Sequence, residues 1–442
     1  MELAELAVKK AIKAGMDEAE AYVKKNTTIS MQFASEIQNI KTTESLGLGL
    51  RVALGKKIAM QATTILSEEE IDSIVNKAVK IAKVSPEDPN WNHLPKKFGQ
   101  SSVDGVYDKT IENLDYNTIN DVVLGAINKA SENDRKVKVT RGVIEISYGF
   151  TSIVNNYNET LKRRSTNNGF VFYTKAVEGG DSTGVEFNQA RYWKDLNCDQ
   201  VADDASNKAL RYVNAKPLDS TKLPVIMKNN FFGQIVGLML GSNINAENIQ
   251  KGRSTFGTKI NEQIAAENIS LLDDGTLNKG IATREFDDDG HPTQKTEIVS
   301  KGVLKNIIFD HYTSLKAQAK STGNAGRNYW LAPMPTTNNL IFSPGTTSFE
   351  DMIKETKKGL LIEDTIGEWL SKPTSGELNA TVTHGYLIEN GELTKPVNNV
   401  VIAGNFFDIL LGKIDLIGND VVNNGKVYAP SVRVSELSIA GK

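Results

Sequence analysis

The chain carries few of the residues that bind transition metals. Its four histidines are His93, His291, His311 and His384, and its one cysteine is Cys198. No histidine lies three to five residues from another, so no single helix or hairpin presents two imidazoles to a metal ion. Three of them could still meet through the tertiary fold, but ordinary surface histidines or hydrogen-bonded core histidines are the favoured interpretation.

The most polar segment of the second half is Arg284–His291, which contains three consecutive aspartates. Its carboxylates and imidazole could bind a hard cation, but their spacing does not fit the calcium loop of an EF-hand. The favoured interpretation is a solvated hairpin turn that ends in Asp289-Gly290, and an improvised metal site stays as an alternative. The ligands of that alternative would be Asp287, Asp288, Asp289 and His291.

A Gly-x-Ser-x-Gly motif surrounds Ser182, between Gly180 and Gly184. A nucleophile elbow needs a strand before its serine and a helix after it. Here the following residues, Val185–Asn188, have the pattern of a strand, and no aspartate followed by a histidine completes a triad downstream. The motif therefore does not predict a hydrolase nucleophile.

Two segments of the second half have compositions that suit ligand contact. Ser321–Arg327 is rich in glycine and lacks the lysine of a P-loop, so it does not predict nucleotide binding. Small residues would let a ligand approach its backbone closely, and a plain connecting loop is an equal alternative. Ala332–Asn339 is held extended by its prolines and would offer a strand edge to a peptide, or simply cross the domain.

Composition limits the classes of function. The 442 residues include 51 basic and 54 acidic ones, and this balance argues against direct nucleic-acid binding. The basic run Lys162–Arg164 is interpreted as a solvated turn. A single cysteine suits a reducing cytoplasm, the N-terminus lacks the apolar core of a signal peptide, and the apolar stretch Phe231–Gly241 is too short to span a membrane. We therefore predict a soluble cytoplasmic protein with no membrane contact.

Periodicity predicts an α+β fold with two domains. Helical patterns and strand-like alternation intermix in residues 1–218, whose second helix begins at a capping box, Ser67–Glu70. The polar segment Ala215–Pro224, with two prolines, marks the domain boundary. In residues 219–442 an apolar helix over Asn229–Asn243 precedes short strands and hairpins, so this C-terminal domain is predicted to be mostly β with a few helices.

Several short motifs occur in an order that resembles the TldD/PmbA family. In the N-terminal half these are Ala14–Glu20 and Gly47–Arg51. In the C-terminal half they are Lys251–Phe256, Phe286–Gly290, Lys301–Leu304, Ser321–Asn324, Thr337–Leu340 with Pro344-Gly345, and Ile388–Glu392. Each motif alone is weak, but together they run nearly from end to end, and their number and order make the resemblance fairly specific.

The resemblance implies a function in peptide processing and proteolysis, in a family first named for modulation of DNA gyrase. In its TldD branch a helix carries His-Glu-x-x-x-His, whose imidazoles bind zinc with a later cysteine. The PmbA branch, also called TldE, lacks this set. Counting back without gaps from Ser254-Thr-Phe256 places Gly237 and Ser242 where the histidines would stand, and Leu238 in place of the glutamate. The resemblance therefore implies no catalytic residue, no metal and no cofactor in this chain, with zinc only in a TldD-type partner.

The leading hypothesis is a PmbA/TldE-type subunit that supports hydrolysis of extended peptides or unfolded proteins by a TldD-type catalytic subunit. In isolation it would form a homodimer. The alternative is an interaction module that modulates DNA gyrase, or another target, without peptidase activity. The candidates for lining a substrate cleft are Ser254, Phe256, Ser321, Thr322, Gly323, Asn324, Arg327 and Asn338. The alternative for each is a role in hairpin or loop geometry.

Overall fold

The N-terminal half is built on one antiparallel sheet flanked by helices. A computed structural model describes residues 2–134 and 136–442. The strand order of this sheet is β3-β2-β1-β4-β5-β6. Its elements are α1 (Glu2–Lys13), β1 (Glu18–Phe33), β2 (Ile37–Leu54), β3 (Lys57–Thr63), α2 (Glu68–Val84), α3 (Tyr116–Asn133), β4 (Val137–Asn155), β5 (Thr160–Val177), β6 (Asp181–Ala190) and α4 (Cys198–Arg211).

Local sequence signals explain how these elements begin and which face they bury. Ser67 is the N-cap of α2, and its hydroxyl accepts a hydrogen bond from the backbone N–H of Glu70. Ile71 and Ile74 are buried on the inner face of this helix, whereas Ile81, which the helical spacing assigns to the same face, is 41% exposed. The prediction that Lys162–Arg164 forms a solvated turn was wrong, because the run lies inside β5.

The C-terminal half contains two larger sheets and a two-stranded one. The first has the order β10-β9-β8-β13-β20-β19, the second β14-β7-β21-β17-β15-β16 with β18 beside β21, and β11 pairs with β12. The elements are β7 (Thr221–Met227), α5 (Asn229–Asn243), α6 (Ala246–Gln250), β8 (Leu271–Asp274), β9 (Lys295–Ser300), β10 (Val303–Leu304), α7 (His311–Lys316), β11 (Ala325–Gly326), β12 (Met334–Pro335), β13 (Asn339–Phe342), α8 (Phe349–Lys354), β14 (Lys358–Ile366), β15 (Glu377–Glu389), β16 (Glu392–Val397), β17 (Val400–Asn405), α9 (Phe406–Asp408), β18 (Ile414–Ile417), β19 (Val422–Asn424), β20 (Val427–Ala429) and β21 (Val432–Ala440).

Helix α5 is central to the core of this half. Its bounds agree with the predicted helix, and it packs against β14, β19 and β20. Phe232 on α5 meets Phe342 on β13 edge to face, with 5.0 Å between ring centroids. The predicted α+β class is confirmed. The domain boundary at 218/219 falls between α4 and β7 and stays a prediction. In the part of the chain that the structure describes, no helix is long and apolar enough to cross a membrane.

The two halves meet where residues that follow β11 lie against the N-terminal sheet. Two glycines of β2 make this approach possible. A Cβ on Gly49 would lie 2.0 Å from the carbonyl oxygen of Tyr329, and a Cβ on Gly47 would lie 2.4 Å from the ring of the same residue. The sheet surface and the loop after β11 therefore come into direct backbone contact.

Candidate functional site

A network of buried ion pairs joins the N-terminal sheet to loops of the C-terminal half. We call it the charged junction. Its members lie on β1, β2 and β5 on one side, and in the turn after Phe286 and the segment after β11 on the other. They are Glu20, Arg51, Arg163, Asp288, Asp289 and Arg327. Because each buried charge faces an opposite charge, the desolvation cost of the network is offset.

Asp288 receives donors from both halves of the chain. Its Oδ1 accepts hydrogen bonds from the Tyr22 hydroxyl at 3.0 Å and from Arg163 Nη2 at 2.6 Å. Its Oδ2 accepts the backbone N–H of Arg327 at 2.9 Å. Burial alone would raise the pKa of Asp288, but the charges of Arg163 and Arg284 outweigh burial and hold that pKa well below its usual value. This carboxylate is therefore ionised at neutral pH.

Asp289 and Glu20 share the guanidinium of Arg51. Glu20 and Arg51 are directly opposite each other on β1 and β2. Arg51 Nη2 lies 3.1 Å from Glu20 Oε1 and 3.0 Å from Asp289 Oδ1. Arg327 Nη2 forms a second ion pair with Glu20 at 2.7 Å, and its guanidinium lies 4.2 Å from the centre of the Tyr22 ring. The strand pair and the aspartate turn are thus held in one fixed arrangement.

The aspartate turn itself is buried, so the prediction of a solvated hairpin turn was wrong. Asp287, Asp288 and Asp289 are 0%, 5% and 1% exposed. Asp287 Oδ1 accepts the backbone N–H groups of Asp289 and His291, and its Oδ2 accepts that of Ala325. Burial raises the pKa of Asp287 to about 6. Its position is held by these three backbone donors.

Hydrogen bonds to these aspartates argue against the alternative of an improvised metal site. A hard cation needs carboxylate oxygens with free lone pairs, and here protein donors already engage the oxygens of all three aspartates. Within residues 2–134 and 136–442, no three or more histidine, cysteine or acidic side chains are arranged to hold a metal ion. The geometry favours an ion-pair role for Asp288 and Asp289, and a role in fixing the turn through backbone hydrogen bonds for Asp287.

Three of the four histidines meet beside the charged junction, as the sequence left open, and they are hydrogen-bonded in the manner of core histidines. His291 Nε2 lies 3.0 Å from His311 Nδ1, and His311 Nε2 lies 2.9 Å from the carbonyl oxygen of His93. A carbonyl only accepts, so His311 carries its proton on Nε2 and accepts the N–H of His291 on Nδ1. Burial lowers the pKa of His311 to about 4. The imidazole of His311, which accepts from His291 and donates to the carbonyl of His93, is therefore neutral at neutral pH.

Two of the predicted cleft residues, Asn324 and Asn338, bind the buried Asp273, and Gly323 joins this group through Asn338. Asp273 Oδ2 accepts the Nδ2–H groups of Asn324 and Asn338, at 2.7 and 3.2 Å, and its Oδ1 accepts the backbone N–H of Asn338 at 2.8 Å. Gly323 adds its carbonyl, which accepts from Asn338 Nδ2 at 3.2 Å. Burial raises the pKa of Asp273 to about 6. The group is a buried polar cluster that fixes the loop 321–338.

The remaining candidates divide between this loop and the core. Thr322 Oγ1 accepts the N–H of Phe309 at 2.8 Å, and Ser321 Oγ accepts that of Gly323 at 3.2 Å. Ser254 Oγ instead donates to the carbonyl of Asn243 at the end of α5, at 2.7 Å. Phe256 is buried in the core of the C-terminal half. The structure thus brings Gly323, Asn324 and Asn338 together around Asp273. Arg327 lies apart from them in the charged junction, and Ser254 and Phe256 lie at the end of α5 and in the core.

Helix α5 presents Gly237 and Leu238 to a surface cavity of about 280 Å³, which Trp369 and Val427 also line. Among the described residues that line it there is no imidazole and no thiol. A Cβ at Gly237 would lie 3.0 Å from Val427 Cγ2, so a larger side chain would displace Val427. Ser242 Oγ accepts from Asn248 Nδ2 at 3.3 Å. These residues do not fit a zinc ion.

Sequence reasoning missed several members of the site. Glu20 and Arg51 fall inside segments that carried the family resemblance, so that resemblance was the available signal for them. Arg163 was visible as part of a basic run. No local pattern indicated Asp273 or His311, because their partners lie on distant segments of the chain.

Comparison with known proteins gives consistent matches. Residues 220–441 match the model described as the PmbA/TldA metallopeptidase C-terminal domain, and residues 19–82 match that of PmbA/TldA metallopeptidase domain 1. Metalloprotease PmbA of Escherichia coli O157:H7 is 27% identical over 96% of this chain and 93% of its own length. A Thermotoga maritima protein, proposed as a modulator of a DNA gyrase, has 25% identity and a TM-score of 0.91, with 99% of both chains covered. TldE from Thermococcus kodakarensis shares the fold, with 21% identity, a TM-score of 0.91 and 99% and 100% of the two chains covered.

Proposed function

Because this chain belongs to the PmbA/TldD family, on its PmbA branch, we propose that it is a non-catalytic subunit that supports peptide hydrolysis by a TldD-type partner. The family is metallopeptidase-like, so hydrolysis of peptides is the reaction class. The substrate is an extended peptide or an unfolded protein. Zinc belongs to the partner, and in the partner's absence this chain pairs with a second copy of itself.

The observation that carries the proposal is the composition of α5. Gly237 has no side chain that could bind a metal, and Leu238 cannot take a proton from a metal-bound water. A Cβ added at Gly237 would lie 3.0 Å from Val427 Cγ2, so an imidazole at this position would require Val427 to shift. A chain that retains the family fold with this helix suits a role in shaping and stabilising the catalytic subunit.

An exposed apolar patch next to the α5 cavity supports a partner surface. Ile366, Trp369 and Leu370 are 52%, 62% and 72% exposed, and Trp369 lines the cavity with Gly237 and Leu238. Large exposed aromatic and aliphatic side chains that lie together are typical of protein interfaces. We place the contact with the TldD-type subunit here.

The test combines metal content, pairing and hydrolysis. The purified chain, a TldD-type protein encoded in the same genome, and their mixture are compared for zinc content by elemental mass spectrometry and for cleavage of an unstructured peptide. We expect zinc in the partner alone, no cleavage by this chain, and faster cleavage by the mixture. About one zinc in this chain together with cleavage in the partner's absence would refute the proposal.

A variant of the patch tests where the partner binds. Trp369→Glu should abolish the complex in size-exclusion chromatography and remove the stimulation of cleavage, because a desolvated carboxylate at an interface is costly. The control is Ile65→Glu, which changes an apolar residue of similar exposure (63%) in the N-terminal half and should leave pairing intact. An effect on gyrase supercoiling without any effect on cleavage would favour the alternative of an interaction module.

A further inference from the structure

A second cavity, of about 280 Å³, lies between β5 and the loops of the C-terminal half, beside the charged junction. Four of its lining residues are cations, namely Arg163, Arg191, Arg284 and Lys426. No carboxylate is among the described residues that line it. A concave surface with this composition attracts anions, because its walls exclude part of the screening solvent.

Two of the four cations are partly compensated by one carboxylate. Arg163 Nη2 lies 2.6 Å from Asp288, and Arg284 Nη1 lies 3.4 Å from the same carboxylate. One negative charge is thus shared by two guanidinium groups. These two arginines belong to the framework that joins the halves of the chain, and their charges are only partly neutralised.

Arg191 is buried without an acidic partner. It is 6% exposed, and its three hydrogen bonds go to the carbonyl oxygens of Gly280, Thr166 and Thr283, at 3.0, 2.8 and 2.9 Å. No ion pair joins it to a carboxylate in the described part of the chain. Burial lowers the pKa of Arg191 to about 10, which is the expected consequence of an uncompensated charge.

Lys426 is the other cation without a carboxylate contact. Its Nζ donates to Thr336 Oγ1 at 2.9 Å and to the carbonyl oxygen of Thr337 at 3.2 Å, which are both neutral acceptors. Burial lowers the pKa of Lys426, the negative charge of Asp273 opposes that shift, and among the described residues no ion pair joins the two. Lys426 is exposed, so it is accessible to a ligand that enters the cavity.

We propose that this cavity binds the oxyanion group of a small ligand, either a carboxylate or a phosphate, through Arg191 and Lys426. Guanidinium and ammonium groups form their strongest hydrogen bonds with such anions. Binding would give both cations the negative charge that the protein itself does not supply. The proposal does not depend on the peptidase role, since it concerns a different surface from that of α5.

Calorimetric titration at low salt tests the proposal. The ligands are inorganic phosphate, a short peptide with a free C-terminal carboxylate, and the same peptide as its C-terminal amide. We expect the chain to bind phosphate or the free peptide, and Lys426→Gln to weaken that binding by roughly tenfold, the effect of one lost charge-assisted hydrogen bond. Binding of the free peptide but not of its amide identifies a carboxylate ligand, and binding of phosphate alone identifies a phosphate ligand.

Two further variants keep the test decisive. Arg191→Gln loses three hydrogen bonds to carbonyls and so risks misfolding, whereas Ser165→Asp places a carboxylate at an exposed position of the cavity wall and should abolish binding. The control is Arg164→Gln, which removes an exposed positive charge outside this cavity and should leave binding unchanged. Failure of all three ligands to bind, or equal binding by the wild type, Lys426→Gln and Ser165→Asp, would overturn the proposal.

Discussion

Replacement of Arg51 by methionine should destabilise the protein more than any exposed arginine substitution. Methionine keeps most of the aliphatic stem but removes the guanidinium that lies 3.1 Å from Glu20 and 3.0 Å from Asp289. In the variant Glu20 would still form its ion pair with Arg327. Asp289 would keep the hydrogen bond from the backbone N–H of His311 at 3.2 Å and the longer-range attraction of Arg327, but no ion pair. Loss of one partner from a buried pair costs roughly 3–5 kcal/mol, because the remaining charge stays desolvated.

Urea unfolding followed by tryptophan fluorescence measures this cost. Trp91 is a suitable reporter, because the Arg51 guanidinium lies 5.9 Å from its ring centre. The comparison requires an unchanged dependence of the unfolding free energy on urea concentration, which indicates that the surface exposed on unfolding is the same. A double-mutant cycle with Asp289→Asn should give a coupling energy of at least roughly 1.5 kcal/mol.

The matched control is the exposed pair of Arg164 and Glu112. These two side chains are 51% and 34% exposed, so solvent screens their attraction. A cycle of Arg164→Met with Glu112→Gln should give a coupling energy below about 1 kcal/mol. If the two cycles gave equal energies, or if Arg51→Met cost less than about 1 kcal/mol, the reasoning that the charged junction holds the halves together would be refuted.

Three further predictions concern single positions. Burial lowers the pKa of His311 to about 4, so below about pH 6.5 the unfolded chain binds a proton that the native state does not. The unfolding free energy of the wild type, relative to that of His311→Gln, should therefore fall by up to roughly 3 kcal/mol between pH 6.5 and pH 4. Urea unfolding at several pH values measures this change. Gly323→Ala should lower the unfolding free energy by more than about 1 kcal/mol, since φ is +71° and the new Cβ would lie 2.3 Å from the Pro292 carbonyl oxygen. Gly412→Ala is the control, because its Cβ would meet nothing within 4 Å, and thermal unfolding of the two variants compares them. Ser67→Ala should cost about 1 kcal/mol by loss of the α2 N-cap, and an unchanged melting temperature would contradict this.

Features that depend on neighbouring residues were predictable from the sequence. The apolar run over Asn229–Asn243 gave the bounds of α5, and the capping-box spacing at Ser67 located the start of α2. Asn-Gly dipeptides between strand-like runs predict hairpins at Asn390-Gly391 and Asn424-Gly425, and both are confirmed, because both glycines adopt the positive φ that such turns require. In each case the determining contacts lie within a few residues of one another.

Features that depend on distant partners were not predictable in this way. The local sequence predicts that Asp288 is a solvated turn residue. Its burial depends on Arg163 and Tyr22, which lie 125 and 266 positions earlier in the chain and bind its carboxylate. The same holds for His311, whose acceptor is the carbonyl of His93 at a separation of 218 residues. A local sequence pattern predicts that a charged side chain is exposed to solvent. Its burial is possible only where the fold places an opposite charge beside it, because an unpaired buried charge is strongly destabilising.

The charged junction also has a consequence for biosynthesis. Glu20, Arg51 and Arg163 emerge from the ribosome long before Asp288 and Asp289 are made, so a nascent N-terminal half carries two guanidinium groups and a single carboxylate on the surface that will later be buried. Until the aspartates emerge, this surface has a net positive charge and must remain hydrated. The N-terminal sheet can therefore reach its final stability only after translation has passed residue 289. A stalled or truncated chain would expose this surface to other acidic polymers in the cell.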